Sequence, residues 1–317
     1  MTPAWTDAWV RGMRIEAEDV IALELARADG QTWAPAAAGA HVDLEIPGIG
    51  PRSYSLLPPA APEQLCLGVL REPQGHGGSR WIHEQLRPGQ AVRVSAARNH
   101  FALDGGPGPV RLIAGGIGIT PIAAMAHALA GGRRDWRLHY AVRTRRRAAF
   151  LVPLAAHGQR LQLHVDDEAG GPLDLRRIVA DAPAGTHFYC CGPAPMMDAF
   201  ASATATLDPQ QVHVEHFAAP AAAAAQAPTG SFEIELARSG RRLAVPADRS
   251  ILDVLLAQGI AVAHSCRSGI CGSCETAVLQ GTPDHRDLVL SPQERASGKT
   301  LLVCCSRAAG ERLVLDL

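Results

Sequence analysis

The hydrophobic rhythm changes twice along the chain. Upstream of about Gly105, short runs alternate apolar and polar positions: Ile21 to Leu25, His41 to Ile46, Arg52 to Leu56, Leu65 to Leu70 and Ala91 to Ser95. Turns rich in Gly and Pro separate them, as in a small antiparallel barrel. From Val110 to Phe217, strand patterns at Arg111 to Ala114, Arg137 to Val142, Leu161 to Val165, His187 to Cys191 and Gln211 to His216 alternate with helical ones, notably Pro121 to Ala130 and Met196 to Leu207. Strand and helix in turn predict a doubly wound α/β parallel sheet. Short strands return at Ser231 to Leu236 and Arg241 to Val245, followed by a helix at Ile251 to Gln258 and a loop dense in cysteine.

Between the second and third patterns lies AAPAAAAAQAPTG, Ala218 to Gly230, an uncharged alanine run with proline at both ends. A short surface helix is the alternative, but the bracketing prolines and the lost amphipathic pattern favour a linker. The expected organisation is a barrel domain over 1–104, a nucleotide-binding α/β domain over 105–217, a linker over 218–229 and an α+β module over 230–317.

A chain of 317 residues suffices for several domains that each bury a core. A net charge of −1 gives no sign of nucleic-acid binding. The first ten residues form neither a basic leader nor an apolar run, and no stretch approaches the roughly 18 apolar residues of a membrane span. The expectation is a soluble, cytoplasmic monomer without membrane or nucleic-acid partners.

Cys266, Cys271 and Cys274 follow the spacing C-x4-C-x2-C, and a distant cysteine, with Cys304 and Cys305 adjacent, completes the ligand pattern of a plant-type 2Fe-2S cluster. Gly269 and Gly272 give the loop the freedom to wrap tightly, and Ser265, Ser268 and Ser273 are small enough for the same crowding. A structural zinc site usually needs a second C-x2-C pair, and disulfides would need an exported chain. The spacing therefore points to single-electron transfer.

Leu112 to Pro121, LIAGGIGITP, sets Gly115, Gly116 and Gly118 between a strand and a helix, where backbone amides can face a pyrophosphate. Pro121 stands where the usual fingerprint has its third glycine, and many such turns only pack helix on sheet. Cys191, Gly192 and Pro193 form a sharp turn at the carboxyl edge of the sheet, where open α/β folds bind ligands, and a thiol there can lie beside a nicotinamide. Cys190 reads as an ordinary core residue. Arg143 and Thr144 are candidates for phosphate and ribose, while Arg145, Arg146 and Arg147 are either solvated surface or a site for an additional 2'-phosphate. In the barrel, alternation sends Arg52 and Tyr54 to one face and Ser53 and Ser55 to the other. Gly77, Gly78 and Ser79 precede an expected helix at Arg80 to Leu86, with Ser79 as its cap, and serve either as a phosphate site or as an ordinary cap.

Taken together, these residues resemble the phthalate dioxygenase reductase family, which includes vanillate O-demethylase reductase subunits. The likeness runs over nearly the whole chain: an RxYSL strand, GGS, Asn99-His100-Phe101, AGGIGITP, CCGP, HxExF from His213 to Phe217, CxSGxCGSC, DHRD and CxSRA. It implies an FMN-binding barrel, an NADH domain and a C-terminal plant-type ferredoxin domain. Arg52, Ser53, Tyr54 and Ser55 would line the isoalloxazine and ribityl chain, Gly77, Gly78 and Ser79 would bind the FMN phosphate, and Val69, Leu70 and Thr120 would pass beside the flavin. Phe217 would cover the ring, and the CxSRA element makes Cys304 the fourth cluster ligand. Three arginines after Thr144 depart from the mixed charges common in relatives, which leaves NADPH open beside NADH.

The implied route carries hydride from the nicotinamide to FMN and single electrons onward through the cluster, with no side chain acting as nucleophile or general base. The implied acceptor is a separate Rieske non-heme iron oxygenase. Arg267, Arg286 and Arg307 near the cluster motif are candidates for docking it. Rival readings are a reductase for a P450 or diiron monooxygenase and a redox-sensing electron-carrier module.

Overall fold

The computed structural model describes residues 5–59, 61, 63–219 and 230–317. Two compact units result, one spanning Trp5–Phe217 and one beginning at Ala218. Most of the expected linker, residues 220–229, lies outside the described residues.

In the first unit, β1 (Trp5–Ala17), β2 (Val20–Arg27), β3 (His41–Ile46), β4 (Gly50–Leu57), β5 (Gln64–Leu70) and β6 (Ala91–Ser95) close a barrel in the order β1-β2-β5-β4-β3-β6. Leu23, Leu25, Leu44, Leu67 and Val94 fill its interior. The sequence pattern missed β1 because its inward residues are the small Ala8 and Val10, while Trp9 and Ile15 are 44% and 82% exposed. A register shift between Val10 and Gly12 breaks the alternation further. Helix α1 spans Gly78–Glu84 and starts earlier than expected. Gly77, at a φ of 85° that favours glycine, takes the cap position, and the Ser79 hydroxyl accepts instead from the Glu72 amide at 3.1 Å.

The same unit continues into a parallel sheet of β7 (Val110–Gly115), β8 (Trp136–Val142), β9 (Leu161–Val165), β10 (His187–Cys191) and β11 (Val212–Glu215), ordered β11-β10-β7-β8-β9. Its helices are α2 (Ile119–Ala130), α3 (Leu151–Ala155), α4 (Asp166–Ala169), α5 (Leu175–Ala180) and α6 (Ala194–Thr204). Every residue of β7 is buried, as befits the central strand of a sheet covered on both faces. The strand order reverses between β7 and β10, which opens a crevice at their carboxyl ends.

Barrel and sheet share one core, in which Val20, Ala22 and Leu57 pack with Ile119, Ile122 and Tyr140. Gly68 of β5 marks the tightest approach. A Cβ there would stand 2.5 Å from Thr120 Cγ2 and 3.0 Å from Phe150 Cζ.

The second unit contains β12 (Phe232–Leu236), β13 (Arg241–Val245), α7 (Ile251–Ala257), β14 (Glu275–Gln280), β15 (Pro283–Asp284), α8 (Pro292–Ser297), β16 (Thr300–Leu302), β17 (Arg307–Ala308) and β18 (Arg312–Leu315). Its mixed sheet runs β13-β12-β18-β14-β16, with β12 and β18 parallel, and Ile234, Ile251, Leu255, Leu301 and Leu313 form its core. Ser250 and Asp253 cap α7 reciprocally, which fixes the start of the helix before the cysteine loop. Among the described residues, no helix is long and apolar enough to cross a membrane.

Because Gly68 admits no side chain, Gly68→Ala should cost about 1–3 kcal/mol of stability in urea unfolding. Adding Thr120→Ser, which removes the clashing methyl, should recover part of that loss; full additivity of the two changes would place the strain elsewhere.

Candidate functional site

The crevice exists because two glycine turns interlock. A Cβ on Gly118 would stand 2.2 Å from the Cys191 carbonyl oxygen, and one on Gly115 would stand 2.7 Å from Pro193 Cδ and Met196 Sδ. These two glycines therefore serve close packing of the turn after β7 against the turn after β10. Gly116 differs: its φ is 53° and nothing lies within 4 Å of a Cβ placed there, so its backbone is the part of the turn open to a ligand. Thr120 and Pro121 are buried in the first turn of α2, and the Thr120 hydroxyl donates to the Ile117 carbonyl at 3.1 Å.

On the barrel side, Arg52 and the start of α1 come together, since a Cβ on Gly78 would meet Arg52 Cγ at 2.8 Å. A guanidinium beside Gly77, Gly78 and Ser79 is a donor set suited to a phosphate. Ser53 is turned elsewhere: its hydroxyl donates to Asp43 at 2.6 Å, and Arg98 holds the same carboxylate at 2.8 Å. Tyr54 packs against the barrel core, Val69 lies within that core, and Leu70 packs against the core shared with the sheet. Phe217, just beyond β11, is 41% exposed.

The residue that sequence reasoning passed over is Glu215. It sits at the carboxyl end of β11 in register with Cys191, and its Oε2 lies 3.5 Å from the hydroxyl of buried Ser55. Glu215 is half-buried, and this burial pushes its carboxyl up to about 8 despite the Ser55 contact. Burial, and then the neighbouring Glu215, likewise hold the Cys191 thiol well above its ordinary value. The HxExF string contained Glu215, but a lone acid in a short strand gives no signal until β4 is brought against β11. Cys190 points into a separate core, 3.8 Å from Met197 Sδ.

Arg143 is exposed after β8, and its carbonyl accepts from the Asp167 amide at 3.2 Å. Gly192 packs against Met196 and Gly115, while Pro193 starts α6 and is exposed.

In the second unit, the cysteine sulfurs fall into pairs. The Cys266 amide lies 3.5 Å from Cys271 Sγ, and Cys274 pairs with Cys304, which also reaches Cys266. The Cys266 thiol and then burial raise Cys271, and the Cys304 thiol and then burial raise Cys274, so a cation is what would hold these groups as thiolates. Among the described residues, no three His, Cys, Asp or Glu side chains surround a single ion. Two thiolates for each of two irons is the arrangement that paired sulfurs fit. Gly269 and Gly272, at φ of 72° and 70°, carry the loop around them. Gly269 abuts Cys305, whose sulfur would lie 2.7 Å from an added Cβ, and the Leu288 amide donates to the Gly269 carbonyl at 2.9 Å.

The three arginines considered for docking are all engaged. Arg307 is buried and donates to the carbonyls of Arg249 and Pro246 at 2.9 and 3.0 Å, so it is a structural clamp and not a docking surface. Arg267 pairs with Asp253 and Arg286 with Asp284.

The raised Glu215 carboxyl predicts a pH dependence with a definite sign. Folded protein holds a proton that the unfolded chain releases between its ordinary value of 4.5 and about 8. The contribution is therefore complete below 4.5 and is lost as pH rises to about 8, at a slope of at most about 1.4 kcal/mol per pH unit. Thermal unfolding of Glu215→Gln across this range should show a flatter decline; an unchanged slope would assign the effect to other groups.

Comparison with known proteins agrees with this geometry. Residues 234–309 match the family described as the 2Fe-2S iron-sulfur cluster binding domain. Over 302 residues, the chain is 50% identical to phenoxybenzoate dioxygenase subunit beta of Ectopseudomonas oleovorans, covering 95% of this chain and 94% of that protein. The structure of phthalate dioxygenase reductase, described as modular for electron transfer from pyridine nucleotides to [2Fe-2S], superposes with a TM-score of 0.71 at 36% identity, covering 99% of this chain and 98% of the other. An intact type IV self-sufficient cytochrome P450 monooxygenase superposes with a TM-score of 0.91 at 38% identity over 99% of this chain, which spans only 41% of that longer protein. The chain belongs to the phthalate dioxygenase reductase family, and it is a flavin and iron-sulfur oxidoreductase.

Proposed function

We propose that the protein is the reductase of a multicomponent oxygenase system, taking electrons from NADH through FMN to a 2Fe-2S cluster and on to a separate Rieske non-heme iron oxygenase. The observation that carries this reading is the crevice at the strand reversal, where Ser55, Cys191 and Glu215 meet in a chain that ends in a paired-cysteine module. A bound flavin accepts two electrons as hydride and releases them singly, which is the conversion a one-electron cluster requires.

The residues divide the work. Arg52 with Gly77, Gly78 and Ser79 would hold the flavin phosphate, and this end of the cradle, with the family resemblance, supports FMN. Ser55, Tyr54 and Leu70 would flank the ring, with buried Val69 and Thr120 supporting it from behind and Ser53 contributing through its backbone because its hydroxyl serves Asp43. Phe217 would shield the ring from water until the nicotinamide displaces it. Gly116 and Arg143 would receive the dinucleotide phosphates, with the turn at Cys191, Gly192 and Pro193 beside the nicotinamide. Glu215, its carboxyl pushed up to about 8, can accept the Ser55 hydroxyl as a neutral acid without placing a negative charge next to the incoming hydride. Cys266, Cys271, Cys274 and Cys304 would hold the cluster.

A second reading, delivery to a P450, draws support from the self-sufficient monooxygenase that carries a similar chain. Purified protein, NADH and either a Rieske oxygenase or a P450 separate the two: product should form with the former, and product formed only with the latter would reverse the assignment. Heat release and mass spectrometry of the flavin should yield FMN; FAD would contradict the cradle. Cys304→Ala should lose the cluster absorbance and its electron paramagnetic resonance signal while NADH still bleaches the flavin, whereas Cys305→Ala should retain both. The opposite pattern would exchange the two ligand assignments.

A further inference from the structure

Carboxylates occupy the arginine run that follows β8. In a doubly wound sheet the adenosine ribose arrives at the end of the second strand, where a carboxylate suits a free 2'-hydroxyl and an arginine suits a 2'-phosphate. This chain brings both kinds of group to that place. The turn Arg145–Arg147 follows β8, and α4, Asp166–Ala169, follows the neighbouring β9. The Asp167 amide ties the two turns together through the Arg143 carbonyl at 3.2 Å.

Arg145 is gripped at both ends of its fork: Nε donates to Glu168 Oε1 at 2.8 Å and Nη2 to Oε2 at 2.6 Å. The far end of the run turns toward the barrel. Arg147 lies 3.6 and 3.7 Å from the carboxylates of Glu18 and Asp19, and the Glu18 amide donates to the Arg146 carbonyl at 2.9 Å. Arg143 has no side-chain partner among the described residues, so it stays available for the phosphates that NADH and NADPH share.

We infer that Glu168 is a specificity-determining residue, which selects a dinucleotide with a free 2'-hydroxyl by occupying Arg145 and setting a carboxylate against a 2'-phosphate. This inference rests on the nucleotide-binding role proposed above. A 2'-phosphate that took Arg145 would have to displace a bidentate carboxylate and then sit among Asp166, Asp167 and Glu168. The pair is exposed, with side chains 62% and 51% accessible, so it adds little to folding. Its consequence falls on which anion the turn accepts. The effect must also weaken with salt, because the Debye length is about 10 Å at 0.1 M and about 3 Å at 1 M.

The test uses holoprotein, NADH and NADPH with an artificial acceptor, and calorimetric binding of 2',5'-ADP against 5'-ADP. Glu168→Gln should tighten 2',5'-ADP about tenfold at low salt and raise kcat/KM for NADPH by a similar factor, while 5'-ADP and NADH change less than about twofold. The gain should shrink at high salt and vanish in the Arg145→Gln/Glu168→Gln double variant. A gain shared equally by both nucleotides, a gain that survives loss of Arg145, or no gain at all would overturn the inference. If NADH failed to reduce the wild-type protein, the functional reading would fall, yet the 2',5'-ADP measurement would still decide the role of Glu168.

Discussion

Gly118 lies so near the Cys191 carbonyl that a single methyl group would stand 2.2 Å from its oxygen. Because the turns after β7 and β10 meet with no side chain between them, the carboxyl ends of the central strands form one continuous edge. Glu215 then follows Cys191 in register on β11. Packing of Thr120 and Phe150 over Gly68 brings the barrel against that edge, so that Ser55 faces Glu215. Three side chains from distant parts of the sequence thus meet through backbone contacts that exclude any Cβ.

This arrangement gives the crevice its electrostatic character. Glu215 is held largely out of water with no cationic partner among the described residues, and the neutral acid is the form that such an environment favours. A neutral, hydrogen-bonding lining suits transfer of a hydride better than a fixed charge would. The second unit works by the opposite logic. Its sulfurs resist ionisation by themselves and would become ligands only through the charge of irons bound among them.

Much of the fold was legible because its signals are local. Period-two runs marked β2 through β6, the run from Arg111 to Ala114 marked the strand that became β7, and the spacing of Cys266, Cys271 and Cys274 pointed to metal chemistry. What escaped depended on contacts made only after folding. Strand β1 hid behind outward Trp9 and Ile15, and Glu215 acquired its environment only when β4 met β11. Composition could not tell a free arginine from an engaged one, so Arg307 looked like a docking charge and is a buried clamp. Likewise, the string kept Ser53 and Ser55 equivalent, although one hydroxyl serves Asp43 and the other meets Glu215.

The central claim is that a single chain converts paired electrons into single ones. Anaerobic titration with NADH, followed by flavin absorbance together with the electron paramagnetic resonance of the cluster, tests it most directly. The account predicts that substoichiometric NADH bleaches the flavin and develops the reduced-cluster signal in the same protein without any added acceptor. A flavin that bleaches fully while an intact cluster stays oxidised even with excess NADH would contradict it.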